Sequence, residues 1–327
     1  MLLRLLLLPL LLLSISVEAA SPRELLDQMS RAFREQNYQG FFTYEYSGEM
    51  QSMQIIHAVQ DGVEFERLIY LNGEPREVIR RGHELSCIHP GDQILRLGHT
   101  ISSGPFARTF LEPLSDLEDN YDLSMGEVKR IANRSAQQIR VRPKDTYRNG
   151  FWLYLDTESH LLLKSVIVSP EGRPLERFQF ATVEVGGSIS EEDLQPGEGV
   201  SYPAAHQVIS KTDASEQKDI LGDFDMHVGW LPPGFTLAAR SDDKRDGEAV
   251  RLALYTDGLA TISVFVEPSA EVKGQSVEGR ARHGATVVYT RQINAGGKGW
   301  LVTVVGEVPL FTAARVARYV EAKKAAG

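Results

Sequence analysis

The sequence predicts an α+β protein: a large, curled antiparallel sheet partly plugged by one helix, then a smaller α+β domain. Three observations lead there. Between residues 40 and 185 apolar side chains recur with a period of two, in segments separated by hairpin signals. One capped, 3.6-period stretch precedes them. From Gly186 to about Asp225 the periodicity stops, and Gly, Ser, Glu and Asp dominate.

The chain opens on "MLLRLLLLPLLLLSISVEAA", with Arg4 ahead of a leucine-rich run that ends at Leu13. That run is shorter than the ~20 apolar residues a bilayer requires. With Val17-Glu18-Ala19 as a small-residue cleavage site, residues 1–19 read as a secretory signal peptide, so the mature protein is expected to be soluble and exported. The remainder, roughly 300 residues, is long enough for two domains. Its cores must stand without a disulfide, because Cys87 is the single cysteine. With 44 acidic against 35 basic side chains, the net charge of −9 argues against nucleic acid as a partner.

Ser21, Pro22 and Glu24 form a capping-box signature, and Leu25, Leu26, Met29, Ala32 and Phe33 share one face. A helix over 22–36 follows. Strands are expected over 40–46, 53–60, 64–71, 76–81 and 84–89. Asp61-Gly62 and Asn72-Gly73 serve as hairpin turns between them. A short helix over 106–111 interrupts the pattern, and strands resume over 121–133, 136–142, 151–156, 161–169 and 175–185. About ten or eleven strands in one sheet tend to curl or close. In "NYQGFFTYEYSG", Phe42, Tyr44 and Tyr46 fill one face. The second face carries Phe41, Thr43 and Glu45; it meets a partly apolar groove or a partner, or Phe41 packs under a loop.

This division gives a first domain over 20–185, a linker over 186–225 and a second domain over 226–327. Strands are expected in the second domain over 236–241, 250–256, 260–266, 285–293 and 299–307. Val316, Tyr319 and Val320 mark a final amphipathic helix.

No nucleophile elbow, phosphate loop or zinc-protease signature is present, so no catalytic residue and no cofactor are expected. Gly296-Gly297-Lys298-Gly299 lies between two strands and reads as a hairpin turn. His83, Cys87 and His89 are ligand types but make three of the four a structural zinc needs. Arg140, Arg142 and Lys144, with Arg148 nearby and Arg80, Arg81 and Arg96 on other connections, form a basic patch. It suits phosphate or an acidic partner, or a solvated face.

The segments "QNYQGFFTYEYSG", "GFWLYLDTESHLLLKSVIV", "RPLERFQF", "WLPPGFTL", "YTDGLATISVFVEP" and "WLVTVVGEVPLFTAARVA" together resemble the RseB/MucB family over essentially the whole mature chain. The resemblance implies a periplasmic negative regulator of the sigma-E (AlgU-type) envelope stress response. Such a protein binds the periplasmic part of the anti-sigma factor RseA/MucA and shields it from the site-1 protease. Lipopolysaccharide or mislocalised lipoprotein is the implied release signal. The implied fold is an unclosed, LolA/LolB-like antiparallel barrel with a helical plug, and the second domain takes a large part in holding the anti-sigma factor. Phe42, Tyr44, Trp152, Tyr154, Leu161 and Leu163 are the expected acyl-chain contacts. Trp230, Leu231, Phe235 and Phe311 are the expected partner contacts. A lipid carrier and an exported hydrolase are the rival readings, and both a monomer and a homo-oligomer fit the residues.

Overall fold

The computed structural model describes residues 20–82, 84–88, 117–197, 224–245, 248–269, 278–295 and 297–324. The expected signal peptide over 1–19, the helix expected over 106–111, His83, His89, Gly296 and the 198–223 part of the expected linker lie outside the described residues.

Helix α1 spans Pro22–Glu35 and begins where its capping box requires. Ser21 Oγ accepts from the Glu24 amide at 3.2 Å, and the Ser21 amide donates to Glu24 Oε2 at 2.8 Å. Two orphan amides are thus satisfied, which is worth about 1 kcal/mol. Leu26, Met29, Ala32 and Phe33 form its buried stripe.

Ten strands follow: β1 (Tyr38–Tyr46), β2 (Glu49–Gln60), β3 (Val63–Tyr70), β4 (Arg76–Arg81), β5 (Glu84–Ile88), β6 (Tyr121–Ile131), β7 (Arg134–Pro143), β8 (Gly150–Asp156), β9 (Leu162–Val168) and β10 (Pro174–Val185). A one-turn helix α2 (Leu117–Asn120) leads into β6. The strands form one sheet in the order β5-β4-β3-β2-β1-β10-β9-β8-β7-β6. Two antiparallel meanders therefore meet where β1 pairs β10, and the sheet stays open at β5 and β6. Asp61 and Gly62 both take positive φ, 51° and 77°, as a tight hairpin with the right twist demands.

The two faces of this sheet are covered differently. Phe33 of α1 meets Tyr38 edge-on at 6.1 Å. Tyr38 is paired with His57, and its face carries Phe42, Met53 and Ile55, all buried in the core that holds Leu26 and Met29. His57 stacks on Tyr38 at 4.6 Å, and its Nδ1 lies 2.9 Å from Gln36 O. Burial pushes its pKa down to about 4, so the ring stays neutral at physiological pH. On the opposite face Ile56 and Ala58 are covered by Ile189 and Leu194, from the chain that leaves β10. Phe41, also on that face, is 46% exposed beside a β-bulge.

The second sheet has six strands in the order β12-β13-β14-β17-β16-β15. Their ranges are β12 (Thr236–Arg245), β13 (Glu248–Thr256), β14 (Thr261–Ser269), β15 (Glu278–His283), β16 (Thr286–Ala295) and β17 (Lys298–Gly306). Helix α3 (Leu310–Arg318) lies on β16 and β17, burying Ala313, Val316 and Ala317 against Val287, Val302 and Val304. The final helix thus starts at Leu310 and stops before the expected Tyr319–Val320 turn. Val320 instead opens β18 (Val320–Lys324), which pairs with β11 (Phe224–Val228). That distant strand partner outweighs the local helical period. Among the described residues no helix is long and apolar enough to cross a membrane.

Candidate functional site

The six expected acyl-chain contacts divide between the two faces. Leu153, Ser165, Phe178 and Tyr44 form one row across β8, β9, β10 and β1, on the face that α1 covers. Phe42 lies on the same face, 1% exposed, with its ring 5.0 Å from Phe178 and 5.9 Å from Phe180. Leu163 alternates onto this face, and Leu161 and Leu163 are both fully buried. Trp152 belongs to the neighbouring row, Arg140, Trp152, Val166, Arg177 and Glu45, which points the other way. Tyr154 joins it there, its hydroxyl accepting from Gln138 Nε2 at 2.8 Å and its ring 5.4 Å from Lys164 Nζ. The six expected contacts therefore do not share one face of the sheet. Strand parity groups residues but cannot assign inside and outside across separate strands.

The basic patch is likewise taken apart. Arg142 pairs with Asp122 at 2.9 Å and stays exposed, Lys144 Nζ donates to Glu118 O at 2.5 Å, and Arg140 Nε donates to Gln138 Oε1 at 3.3 Å. Arg80 pairs with Glu64 at 2.5 Å and Glu66 at 3.4 Å. Arg148 leaves the patch altogether.

Its destination is the seam between the two sheets. Residues 144–149 connect β7 to β8 and reach into the second sheet's territory. The Arg148 guanidinium is fully buried; Nη1 donates to Asp257 Oδ2 at 2.7 Å and Nη2 to the Pro233 carbonyl. Asp145 lies 3.0 Å away, and the rings of Tyr121 and Phe235 sit 5.4 and 5.3 Å from the cation. Asp257 is equally enclosed. Its Oδ1 accepts from the amides of Leu259 and Ala260, and its Oδ2 also accepts from the Tyr121 hydroxyl at 2.9 Å. Burial, then the Asp257 charge, holds the Tyr121 phenol well above its usual range. Each guanidinium nitrogen has an acceptor, Nε donating to Asp145 Oδ1 at 3.2 Å, and this is the condition under which a buried pair is tolerated.

The same connection supplies Tyr147. Its carbonyl accepts from Thr312 Oγ1 at 2.9 Å and its hydroxyl from Arg315 Nη1 at 2.8 Å. Asn149 Nδ2 donates to Glu307 O at 3.0 Å. The Tyr147 ring meets Trp230 at 5.2 Å and Phe311 at 5.9 Å, and the Arg315 guanidinium lies over Trp230 at 4.0 Å. Two of the expected partner contacts, Trp230 and Phe311, are therefore brought together, by a residue the sequence did not single out. Phe311 is 49% exposed and Tyr319, beside Trp230, is 47% exposed. Phe235 is buried in the second core, and Leu231 packs against that core. Tyr147 and Arg315 had no periodic signal, and the one hint for Tyr147 was an aromatic residue inside the charged connection "KDTYRNG"; Tyr319 was read only as part of the final helix.

A second contact lies at the other edge of the seam. The Gly284 amide donates to Ser47 Oγ at 2.8 Å, the Ala285 amide to Glu176 Oε1 at 2.7 Å, and His283 lies on Tyr46 at 4.3 Å. Among the described residues no group of His, Cys, Asp and Glu is placed to hold a metal ion. Tyr147, Trp230, Phe311 and Arg315 thus form an aromatic–cation cluster at the seam, partly open to solvent at Phe311.

Comparison with known proteins covers nearly the whole chain. Residues 21–198 match the family model described as MucB/RseB N-terminal domain, and residues 222–321 the one described as MucB/RseB C-terminal domain. The sigma factor AlgU regulatory protein MucB of Pseudomonas aeruginosa is 36% identical over 316 residues, covering 95% of this chain and 94% of that protein. The sigma-E factor regulatory protein RseB of Haemophilus influenzae is 31% identical, covering 94% and 93%. A crystal structure of MucB in complex with MucA(peri) superposes with a TM-score of 0.73 at 33% identity, over 94% of this chain and 100% of that one.

Proposed function

The chain belongs to the MucB/RseB family, and from that premise we propose that it binds the periplasmic segment of a MucA/RseA-type anti-sigma factor. The observation that carries this is the match, over 94% of the chain, to MucB in its complex with MucA(peri). The protein acts by binding: it shields the segment from site-1 proteolysis and catalyses nothing itself. It works in the periplasm after loss of residues 1–19.

The proposed division of labour follows 20–185, 186–225 and 226–327. The C-terminal part holds the anti-sigma segment through Trp230, Phe311, Arg315 and Tyr319, with Tyr147 of the first domain beside them. Two exposed aromatic rings beside a guanidinium support this, because such clusters dominate binding energy at interfaces. The ten-stranded sheet with α1 as its plug is the LolA/LolB-like part, and Phe42, Tyr44, Leu161 and Leu163 are its acyl-facing residues. Lipopolysaccharide or lipoprotein acyl chains entering there release the partner. Each methylene buried contributes about 0.8 kcal/mol, so a few suffice to offset a modest protein interface.

Co-purification tests this reading. Tagged mature protein, recovered from an envelope extract of its own organism, is expected to bring down an anti-sigma factor identifiable by mass spectrometry. Recovery without one would argue against the assignment.

A further inference from the structure

The edge of the second sheet gathers charge of one sign. Strand β15 is its outermost strand, and all six of its side chains are exposed. It pairs with β16 in continuous register: Glu278 lies opposite Arg291, Arg280 opposite Tyr289 and Arg282 opposite Val287. Residues opposite one another share a face, with Cβ atoms about 5 Å apart. Val287 is buried in the core that α3 closes, so this is the face on which α3 lies. Glu278, Arg280, Arg282, Tyr289 and Arg291 therefore stand together beside the helix, and α3 adds Arg318 from its last turn.

Two observations separate this cluster from an ordinary solvated face. The first is a pair of orphaned donors. Tyr289 is 5% exposed, and its hydroxyl and the Arg291 Nε are both buried without a hydrogen bond to the protein. Glu278 and Arg318 act on that hydroxyl, neither in hydrogen-bonding geometry, which places it between the β15 edge and the end of α3. Buried polar groups nearly always have a partner, so one left open points to a partner from outside the chain. The second is unspent charge. Among the described residues none of Arg280, Arg282, Arg291 and Arg318 makes an ion pair, although Glu278 lies opposite Arg291. Four cations thus meet one carboxylate, in a chain whose net charge is −9.

We propose that Arg280, Arg282, Arg291 and Arg318, around the Tyr289 hydroxyl, form a binding site for a phosphate monoester. The ligand class follows from the donors. A phosphate monoester carries about two negative charges and presents its free oxygens on several sides. Guanidinium forks match that geometry two bonds at a time, and the phenol supplies one neutral donor. A carboxylate, with a single charge on two oxygens, leaves most of these donors unused. Burial, then Glu278, holds the Tyr289 phenol above its ordinary value, so the hydroxyl keeps the proton it donates. Glu278 is the one group of the cluster that opposes an anion. No bond is made or broken, and none of the side chains assigned to the anti-sigma segment takes part, so the site stands apart from that reading.

The test titrates the full mature chain calorimetrically at low salt with glycerol phosphate, beside succinate as a carboxylate of equal charge. Saturable binding of glycerol phosphate is expected, with succinate at least about tenfold weaker. Arg280→Gln combined with Arg282→Gln should weaken the phosphate by at least about tenfold, since each change removes charge-assisted hydrogen bonds. Both side chains are exposed, so the fold survives. Tyr289→Phe should also weaken it by about tenfold while leaving Tm unchanged or higher, because the lost hydroxyl has no partner within the protein. Co-sedimentation separates the sources of the phosphate. Capture by phosphatidylcholine vesicles carrying phosphatidic acid, and not by phosphatidylcholine alone, assigns a lipid headgroup; binding of glycerol phosphate without capture assigns a soluble phosphoester. Silence of both phosphate probes overturns the proposal, and so does succinate binding as tightly as glycerol phosphate. Phosphate affinity unchanged in the variants overturns it too, and either variant alone decides if the other does not fold. An oligoglutamate peptide that binds where neither phosphate probe does would mark a protein-docking surface instead.

Discussion

Asp257→Ala is expected to cost roughly 3–5 kcal/mol, the range for removing one partner of a buried ion pair. The reason is the enclosure of Arg148, which is 0% exposed and takes its shortest carboxylate contact, 2.7 Å, from Asp257. Asp145 remains at 3.0 Å, which places the loss toward the low end of that range. The substitution also strands the Tyr121 hydroxyl and removes the acceptor for the Leu259 and Ala260 amides. Asp257→Asn keeps the shape and an acceptor oxygen and should fall between the parent and the alanine variant. Equilibrium urea denaturation followed by tryptophan fluorescence, to which Trp230 at the seam contributes, measures both. A loss below about 1 kcal/mol for Asp257→Ala would mean that water reaches the guanidinium and the seam is not closed.

Phe42→Ala should lose about 3–5 kcal/mol from the ten-stranded sheet, as truncation of a buried phenylalanine does. Its ring is 1% exposed and wedged between Phe178 and Phe180, which themselves meet at 5.1 Å. Circular dichroism against urea reads the loss directly. This outcome would make Phe42 part of the permanent core, with acyl chains displacing α1 rather than filling a standing gap. A loss of under about 1 kcal/mol would instead describe a ring already facing open space.

Much of the fold was legible because its signals are local. The capping box at Ser21 and Glu24 set the start of α1, and Asp61-Gly62 set the β2–β3 turn, as the hydrogen bonds and positive φ values show. Period-two segments located all ten strands of the first sheet and five of the six in the second. The missed strand, Glu278–His283, is an edge whose six side chains are all exposed, so it carries no apolar alternation to read. Strands β11 and β18 were missed for another reason. They pair across almost the whole second domain, and no local pattern encodes such a partner.

The site was legible only in pieces. Trp230 and Phe311 were picked out as aromatic residues in short apolar segments, and the structure sets them around one tyrosine. Arg148 read as one of several cations near Arg140 and Arg142, because charge clustering in sequence says nothing about which side chain turns inward. Asp257 was not singled out at all: one of its oxygens holds the local turn to Leu259, while the other serves a cation 109 residues away. Residues that act twice, once locally and once across a domain seam, show only the local half in a single sequence.

Binding of the anti-sigma segment is the center of the account, and calorimetric titration measures it most directly. The purified mature chain is titrated with the periplasmic segment of the anti-sigma factor from the same organism, beside a Phe311→Ala, Tyr319→Ala double variant. Both substituted side chains are about half exposed, so the variant should fold as the parent does. The parent chain is expected to bind saturably, and the variant at least tenfold more weakly, a loss of about 1.4 kcal/mol. A flat titration with the parent chain would contradict the account.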